Sequence, residues 1–552
     1  MRPPPPDASA APAQAPAPGP WSPLREPMFR AMWLAVLASN VGTWVENVAT
    51  GWLMAEMTGS AAMLGLVQAA QTLPVVLLAL LAGALADVVD RRLYLLATQL
   101  WLMTVATALT LLAAGGWLNP WVLIALTFAV GIGSAMAMPA QNATTPELVD
   151  KPLLAPAVAL NSLGFNVARA IGPALGGVML AQLGAAWAFG LNALSYVLLI
   201  VVLLRWKRQV PVSTLPPEPV AGAIVAGLRY VRQAPVFRAV LVRASAFFLF
   251  ATALPALLPL LASRELGGGP GAYGLLLAAI GIGAIVGAVL LPAVKARVDR
   301  DRLVFGATAV YAATMAAAAL IDRLTLLLPL ALLTGMAWIG VLASLQVAAQ
   351  TSVPAWVRAR ALSLYIVVFS LGQAVGSLAW GAYAQLRSLD EALLVASAGA
   401  VLAGLLALRW RIASAERLDL TPSAHWPQPV VVDEVAGERA PAVVAIEYRI
   451  APERRAEFLA LMVQMGHVRR RDGALDWQCI EDVAAPGTYL ELFRTGSWLA
   501  HLRQHERVTA DDRALQQRIT ALHLGPEPPR VRHFVGGEPG SAIAPHGPHA
   551  DA

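Results

Sequence analysis

The stretch from Gly83 to Arg92, GALADVVDRR, stops a long apolar run on two aspartates and two arginines. Outward from it in both directions the chain repeats that grammar, an apolar segment followed by a short charged break. Helices are predicted at 30–55, 62–86, 93–115, 120–143, 155–181, 187–205, 239–262, 272–294, 303–321, 324–349, 360–385 and 390–410. About 20 residues of helix cross a hydrocarbon layer of roughly 30 Å, and these runs are of that order. Sheet is a poor alternative: an open edge leaves backbone groups unpaired in lipid, and the two-residue alternation of a barrel strand is absent. The expected fold is an all-α polytopic membrane protein of twelve transmembrane helices, divided six and six by the longest break, 206–238.

Composition points the same way. Of 552 residues, 57% are hydrophobic and 13% charged, against about 25% charged in a soluble domain, which places most of the chain in a bilayer. The pI near 9.7 does not indicate nucleic acid, because the basic residues sit mainly between apolar segments. Arg25, Arg30, Arg91, Arg92, Lys151, Arg205, Lys207, Arg208, Arg229, Lys295, Arg300, Arg358 and Arg409 fall on one side of the helix count, and Arg264, Arg323 and Arg387 on the other. By the positive-inside rule both termini and the central loop are cytoplasmic, in a multi-pass plasma (inner) membrane protein. Within that loop, AGAIVAGLRYVRQAPVFRAV reads as an amphipathic helix on the inner leaflet or as a plain connecting helix. Residues 1–24, rich in Pro and Ala, lack the apolar core of a signal peptide and are expected to be a disordered tail, as are 537–552. One cysteine, Cys479, excludes an intrachain disulfide framework and a Cys-based metal cluster. No Walker sequence is present, so a proton gradient is the expected energy source and no cofactor is implied.

Six plus six helices with GALADVVDRR after the second resemble the major facilitator superfamily, whose loop signature is G-x-L-A-D-R-x-G-R-R/K. Gly83, Leu85, Ala86, Asp87, Arg91 and Arg92 match it, while Val88 and Asp90 depart from it. Together with SNVGTWVENVATGWLM, MTGSAAMLG, PAQNATTPELV and ALNSLGFNVARAIGPALGGVML, the variant is similar to the exporter branch that includes the enterobactin exporter. The resemblance spans 28–410, within a transporter domain set at 25–411 with halves 25–205 and 239–411. It implies that Asp87 stabilises the outward-facing state, with Arg91 and Arg92 as partners in a breakable charge latch. Ordinary helix capping and topology are the alternative. On the fifth helix Gly172, Pro173, Gly176 and Gly177 form G-P-x-x-G-G, which frees a carbonyl and permits close packing. It looks like the tail of the antiporter signature, though Ala168 stands where a glycine is expected. Export is therefore the expected direction, with uptake as the alternative.

A charge at mid-bilayer costs about 2.5–3.5 kcal/mol on insertion scales and faces protein or a wet cavity. Glu46 and Arg169 are such charges. Ser39, Thr43, Glu46, Asn47 and Thr50 form one polar stripe on the first helix, and Ser162, Asn166 and Arg169 another on the fifth. Glu46 is a candidate to titrate or bind a cationic group, and Arg169 to pair with it or with an anionic substrate group; a fixed structural ion pair is the alternative. Gln68, Gln71, Gln141, Asn142, Gln346, Gln350 and Gln373 are further cavity candidates, or interhelical hydrogen bonds. Scattered amides with Trp44, Trp338, Phe247 and Phe248 suit an amphiphilic small molecule such as a siderophore, drug or secondary metabolite.

After a Pro-rich linker at 412–440, residues 441–536 alternate strand and helix in the β-α-β-β-α-β order of a ferredoxin-like α+β domain. VVAIEYRI, LDWQCIED and TYLELFRT read as strands, and Phe458, Met462 and Met465 share a helix face. The segment looks like the dimeric α/β-barrel domains of the antibiotic-biosynthesis monooxygenase type, with SWLAHLRQHERVT where that family has a Trp and a His. That resemblance implies dimerisation and, if the domain is active, roles for Trp498, His501 and His505. Two histidines at i, i+4 without a further ligand at metal-site spacing do not make a metal site, and an accessory role is favoured over catalysis.

Overall fold

A computed structural model describes residues 19–207, 229–265, 269–412 and 441–536, with a few linker positions between the last two stretches. The expected tail 1–18, most of the central loop (208–228 with Arg208), most of the linker and the tail 537–552 lie outside the described residues, as do the side chains of Asp87, Lys151 and Arg264.

The first six helices are α1 (Pro27–Thr58), α2 (Ala61–Val88), α3 (Arg91–Ala114), α4 (Pro120–Leu148), α5 (Leu154–Leu183) and α6 (Ala185–Arg205). Their ends follow from local chemistry. Gly59, at φ 55°, closes α1 in the left-handed region, and the Ser60 hydroxyl then accepts the Met63 N–H to start α2. Asp90, where the superfamily signature has glycine, accepts the Leu93 N–H and caps α3. A second set follows: α7 (Pro235–Ala251), α8 (Ala253–Leu260), α9 (Pro270–Lys295), α10 (Arg300–Ala318), α11 (Leu324–Thr351), α12 (Ala355–Leu386) and α13 (Leu389–Ala407). Helices α7 and α8 belong to one span, Pro235–Ser263.

Ten of the described spans are long and apolar enough to cross a membrane, rather than the expected twelve. Helices α1 and α10, of 32 and 19 residues, fall outside that set. The first carries Arg30, Glu46 and Glu56, and the second opens on Arg300, Asp301 and Arg302. Leu77, Trp101, Val178, Val289 and Leu402 point outward. That inversion of a soluble protein's surface is what a lipid-facing bundle requires.

Within the first set α2 packs on α4, α3 on α6, and α1 on α5 and α6; within the second α9 packs on α11, α10 on α11 and α13, and α7 on α12 and α13. The two sets meet where α2 packs on α12 and α5 on α9. Glycine makes these seams possible. A β-carbon at Gly65 would lie 2.3 Å from the Ser377 carbonyl oxygen, and one at Gly177 would lie 2.8 Å from the Gly274 Cα. Ser60 also donates to the Gln385 side chain at 3.0 Å. Tracing the helices up and down puts all of these contacts at the same end of the bundle. At the opposite end several charged contacts among the described residues lie within one half. Arg91 pairs with Glu147, Arg92 donates to the Leu203 and Leu204 carbonyls, and Arg243 pairs with Asp301 at 3.0 Å.

The C-terminal unit comprises β1 (Ala442–Arg449), α14 (Arg455–Asp472), β2 (Asp476–Glu481), β3 (Thr488–Thr495), α15 (Trp498–Arg507), α16 (Ala510–Thr520) and β4 (Arg530–Val535). The expected second helix is thus broken in two at Val508 and Thr509, where Thr509 and Asp512 form a capping box. The antiparallel sheet has the order β2-β3-β1-β4, with Ala445 opposite Leu492 and Arg532. Phe458, Met462 and Met465 pack under it with Tyr448, Tyr489 and Phe493. A buried ion pair, Arg469 to Glu491 at 2.9 Å, runs through this core. Glu491 also accepts from Trp477 Nε1 and Tyr448 OH, so its lone pairs are well used.

The unit touches the bundle through arginines. Arg229 donates to the Gly473 carbonyl at 3.2 Å, Arg471 lies over the Tyr230 ring, and Arg507 lies 4.4 Å from the centre of Trp356.

Candidate functional site

A cavity of about 440 Å³ lies between the two sets of helices. Thr43, Trp44, Asn47, Gln68, Gln71, Ser134 and Arg169 line it from the first set, and Tyr273, Tyr311, Thr334, Trp338, Phe369 and Gln373 from the second. The proline and glycine of the fifth-helix motif explain how α5 reaches it. Gly172 faces the Trp44 β-carbon, Gly176 faces Val45 and Val48, Gly177 faces Gly274, and Pro173 itself lines the cavity. Larger residues at those glycines would push α5 away from α1 or α9.

Arg169 is the charged feature of this cavity. Its guanidinium lies 5.9 Å from the Trp44 ring centre and 5.7 Å from that of Trp338, so one cation is held by an aromatic face from each set. Among the described residues no carboxylate forms an ion pair with it. Trp338 continues into an aromatic wall, with Phe248 5.5 Å and Phe247 5.7 Å away and Phe369 4.5 Å beyond Phe248. Gln71 donates to Asn47 at 3.3 Å on the opposite wall.

Glu46 goes elsewhere. It is buried against α6, where Asn192 donates to its carboxylate and also to Tyr196 OH. The fold therefore separates the two membrane charges that share a polar reading in the sequence, and Glu46 does not line the cavity. Asn166 turns back to the Ser162 carbonyl at 2.8 Å, and Gln346 and Gln350 are exposed outside the cavity lining. Gly83 has open space beside it. Arg91 and Arg92 bridge to α4 and α6 as described above, while the Asp87 side chain lies outside the described residues. Cavity residues that the sequence reading did not single out include Tyr273, Tyr311, Thr334, Ser134 and Phe369; Thr334 and Phe369 lie one turn from Trp338 and Gln373, which it did.

On the C-terminal unit Trp498 and His501 are buried, with ring centres 5.4 Å apart, and His505 Nε2 lies 3.2 Å from His501 Nε2. Strand β4 adds His533, which the spacing along the chain does not reveal, so three histidines converge where two were expected. Burial and the neighbouring His505 and His533 push the His501 imidazole down to about 3, which keeps it neutral. Burial pushes Cys479 up to about 12.

Comparison with known proteins agrees with this architecture. A family model described as transmembrane secretion effector matches residues 18–539, which takes in the C-terminal sheet. The staphyloferrin A transporter of Staphylococcus aureus is 28% identical over 261 residues, covering 46% of this chain and 64% of the relative. The enterobactin exporter of Salmonella typhimurium is 29% identical over 267 residues, covering 48% and 63%. The multidrug efflux pump Tap of Mycolicibacterium fortuitum is 29% identical over 212 residues, covering 37% and 52%. The chain thus spans between half and two thirds of the length of these curated relatives. Among solved structures, the bacterial homologue of the human lysosomal transporter Spinster, inward-facing and unoccupied, superposes with a TM-score of 0.56 at 16% identity, covering 72% of this chain and 97% of that one. The POT family transporter PepTSo gives 0.59 at 14% identity, covering 71% and 99%. A two-set helical bundle with a central cavity, matched from end to end by one family model, makes this chain a member of the transmembrane secretion effector family of major facilitator transporters.

Proposed function

We propose that the protein is a secondary active exporter that carries an amphiphilic small molecule bearing an anionic group out across the plasma membrane in exchange for protons. One observation carries this reading: Arg169 stands in the cavity between Trp44 and Trp338 with no carboxylate paired to it among the described residues. A cation so placed favours an anionic group, and the aromatic wall and amides favour a large, partly apolar body. Siderophores are of that kind, and relatives are named as siderophore and multidrug transporters.

In this reading α1 and α10 join the ten apolar spans to make twelve, and both termini are cytoplasmic. Glycine contacts at one end of the seam, and described ion pairs inside each half at the other, support a cavity that opens toward the basic end. Switching access then requires the glycine contacts to part and the contacts of Asp87, Arg91 and Arg92 to rearrange. Glu46, held by Asn192 beside the cavity helix, is the proposed proton-linked group. The C-terminal unit is read as an accessory ferredoxin-like domain that pairs with a second copy, and not as a catalyst.

The test is substrate-triggered proton movement in inverted membrane vesicles, screened with siderophores, macrolides and cationic dyes. Substrate-dependent collapse of the pH gradient is expected for wild type and is lost in Arg169→Ala and Asp87→Asn at normal membrane insertion. Transport of an anionic substrate that survives Arg169→Ala unchanged would sink the role given to that residue.

A further inference from the structure

Three imidazoles meet on the C-terminal unit. His501 and His505 stand one turn apart on α15, and His533 enters from β4 at the edge of the sheet. Each offers a ring nitrogen, and these nitrogens all lie within 4.8 Å of one another. The two Nε2 atoms on α15 are 3.2 Å apart. Two nitrogens held by one tetrahedral ion, with arms of roughly 2.0–2.1 Å, sit about 3.3 Å from each other.

The surroundings favour an ion over a bare hydrogen bond. A His–His hydrogen bond accounts for two of the rings but leaves the third without a reason to converge. His501 is 1% exposed, and its Nδ1 has no partner among the described residues. Gln504, next to it on α15, is fully buried within hydrogen-bonding reach of the His501 ring, so the site holds an outer-shell amide. Trp498 shields the cluster, its ring centre 5.4 Å from that of His501 and 6.1 Å from that of His533.

We infer that His501, His505 and His533 together bind one divalent late first-row metal ion, with Zn²⁺ as the reference ion and a fourth position open to water or an anion. The chemistry selects the class. Three imidazoles without thiolate or carboxylate suit Zn²⁺, Cu²⁺ or Ni²⁺, whereas Mg²⁺ and Ca²⁺ need oxygen donors.

Full-length protein in detergent, stripped with chelator and desalted, is titrated with ZnCl₂ by calorimetry, and zinc per chain is counted by elemental analysis. One zinc per chain is expected, and Co²⁺ in its place gives the visible absorption of a tetrahedral nitrogen site. His505→Gln and His533→Gln, at half-buried positions, are each expected to weaken binding by more than about 10-fold, the lower end of what outer-shell changes alone cause. His467→Gln, an exposed histidine on α14, leaves binding unchanged. Wild-type protein that takes up no zinc overturns the inference without reference to any variant. So does zinc binding that persists undiminished in both His505→Gln and His533→Gln.

Discussion

The helical bundle and the C-terminal unit solve the same packing problem by opposite means. In the bundle, close approach comes from what is missing: Gly335 lies against the Ile280 carbonyl and Gly283 against the Leu332 carbonyl, each at a distance no β-carbon tolerates. In the C-terminal unit, stability comes from what is present: an apolar layer threaded by Arg469, Glu491, Tyr448 and Trp477. Lipid supplies little drive to bury apolar groups, so the bundle relies on backbone contact, while the water-exposed unit can use burial and pays for its charges with dense hydrogen bonding. The bundle should therefore fail when atoms are added and the unit when atoms are removed.

The sharpest way to break that contrast is Arg469→Ala, which leaves Glu491 buried without its charge partner. A loss of about 3–5 kcal/mol is expected. Hydrogen exchange should show 441–536 unfolded with the bundle amides still protected; equal loss in both regions would mean that the two are one cooperative unit.

Next in size is Gly177→Leu, which adds atoms at the seam for about 1–3 kcal/mol of overpacking. A cysteine pair at Ser60 and Gln385, where the halves touch, is expected to cross-link less in that background, and transport to fall with it. Unchanged cross-linking would show that the seam has slack.

Acid should act on the unit before the bundle. His501 titrates near 3 when folded and near 6.5 when free. The unfolded state then binds more protons between those values, so this contribution is present above about pH 6.5 and is lost as pH falls. Asp472, pushed up from 3.8 to about 6 by burial, works the other way between those two values. The difference in acid stability between metal-free wild type and His501→Gln, followed by near-UV circular dichroism, isolates the histidine; identical acid profiles would remove it.

The smallest effect concerns Cys479, half-buried on β2 with its thiol pushed up to about 12. Little thiolate forms at neutral pH, so alkylation is expected to be slow until the unit unfolds. Rapid labelling of the native protein would show that β2 opens freely.

Much of the bundle was legible in the sequence because apolar length is a one-dimensional signal that does not depend on partners. The caps at Ser60 and Asp90, which fix where α2 and α3 begin, were not part of that signal. The cavity was legible where polar residues repeat on a stripe, as at Thr43 and Asn47 or at Gln68 and Gln71, and at the scattered Trp44, Trp338 and Gln373. The same stripe did not say which of its members line the cavity: Glu46 and Asn47 are adjacent, about 100° apart around the helix, and one faces α6 while the other faces the cavity. His533 was invisible for a different reason. It joins His501 through strand pairing on the sheet, and sequence spacing carries no record of that contact.

The arginine contacts of the C-terminal unit decide what it travels with. Arg229 and Tyr230 precede α7, and Trp356 opens α12, so Gly473, Arg471 and Arg507 are fastened to the link and to the second half of the bundle. If the proposed transport works by rocking of the two halves, the unit rides on one side of it. Each transport cycle would swing its mass and its histidine cluster past the first half, giving a single chain an internal pointer whose position reads out which way the cavity faces.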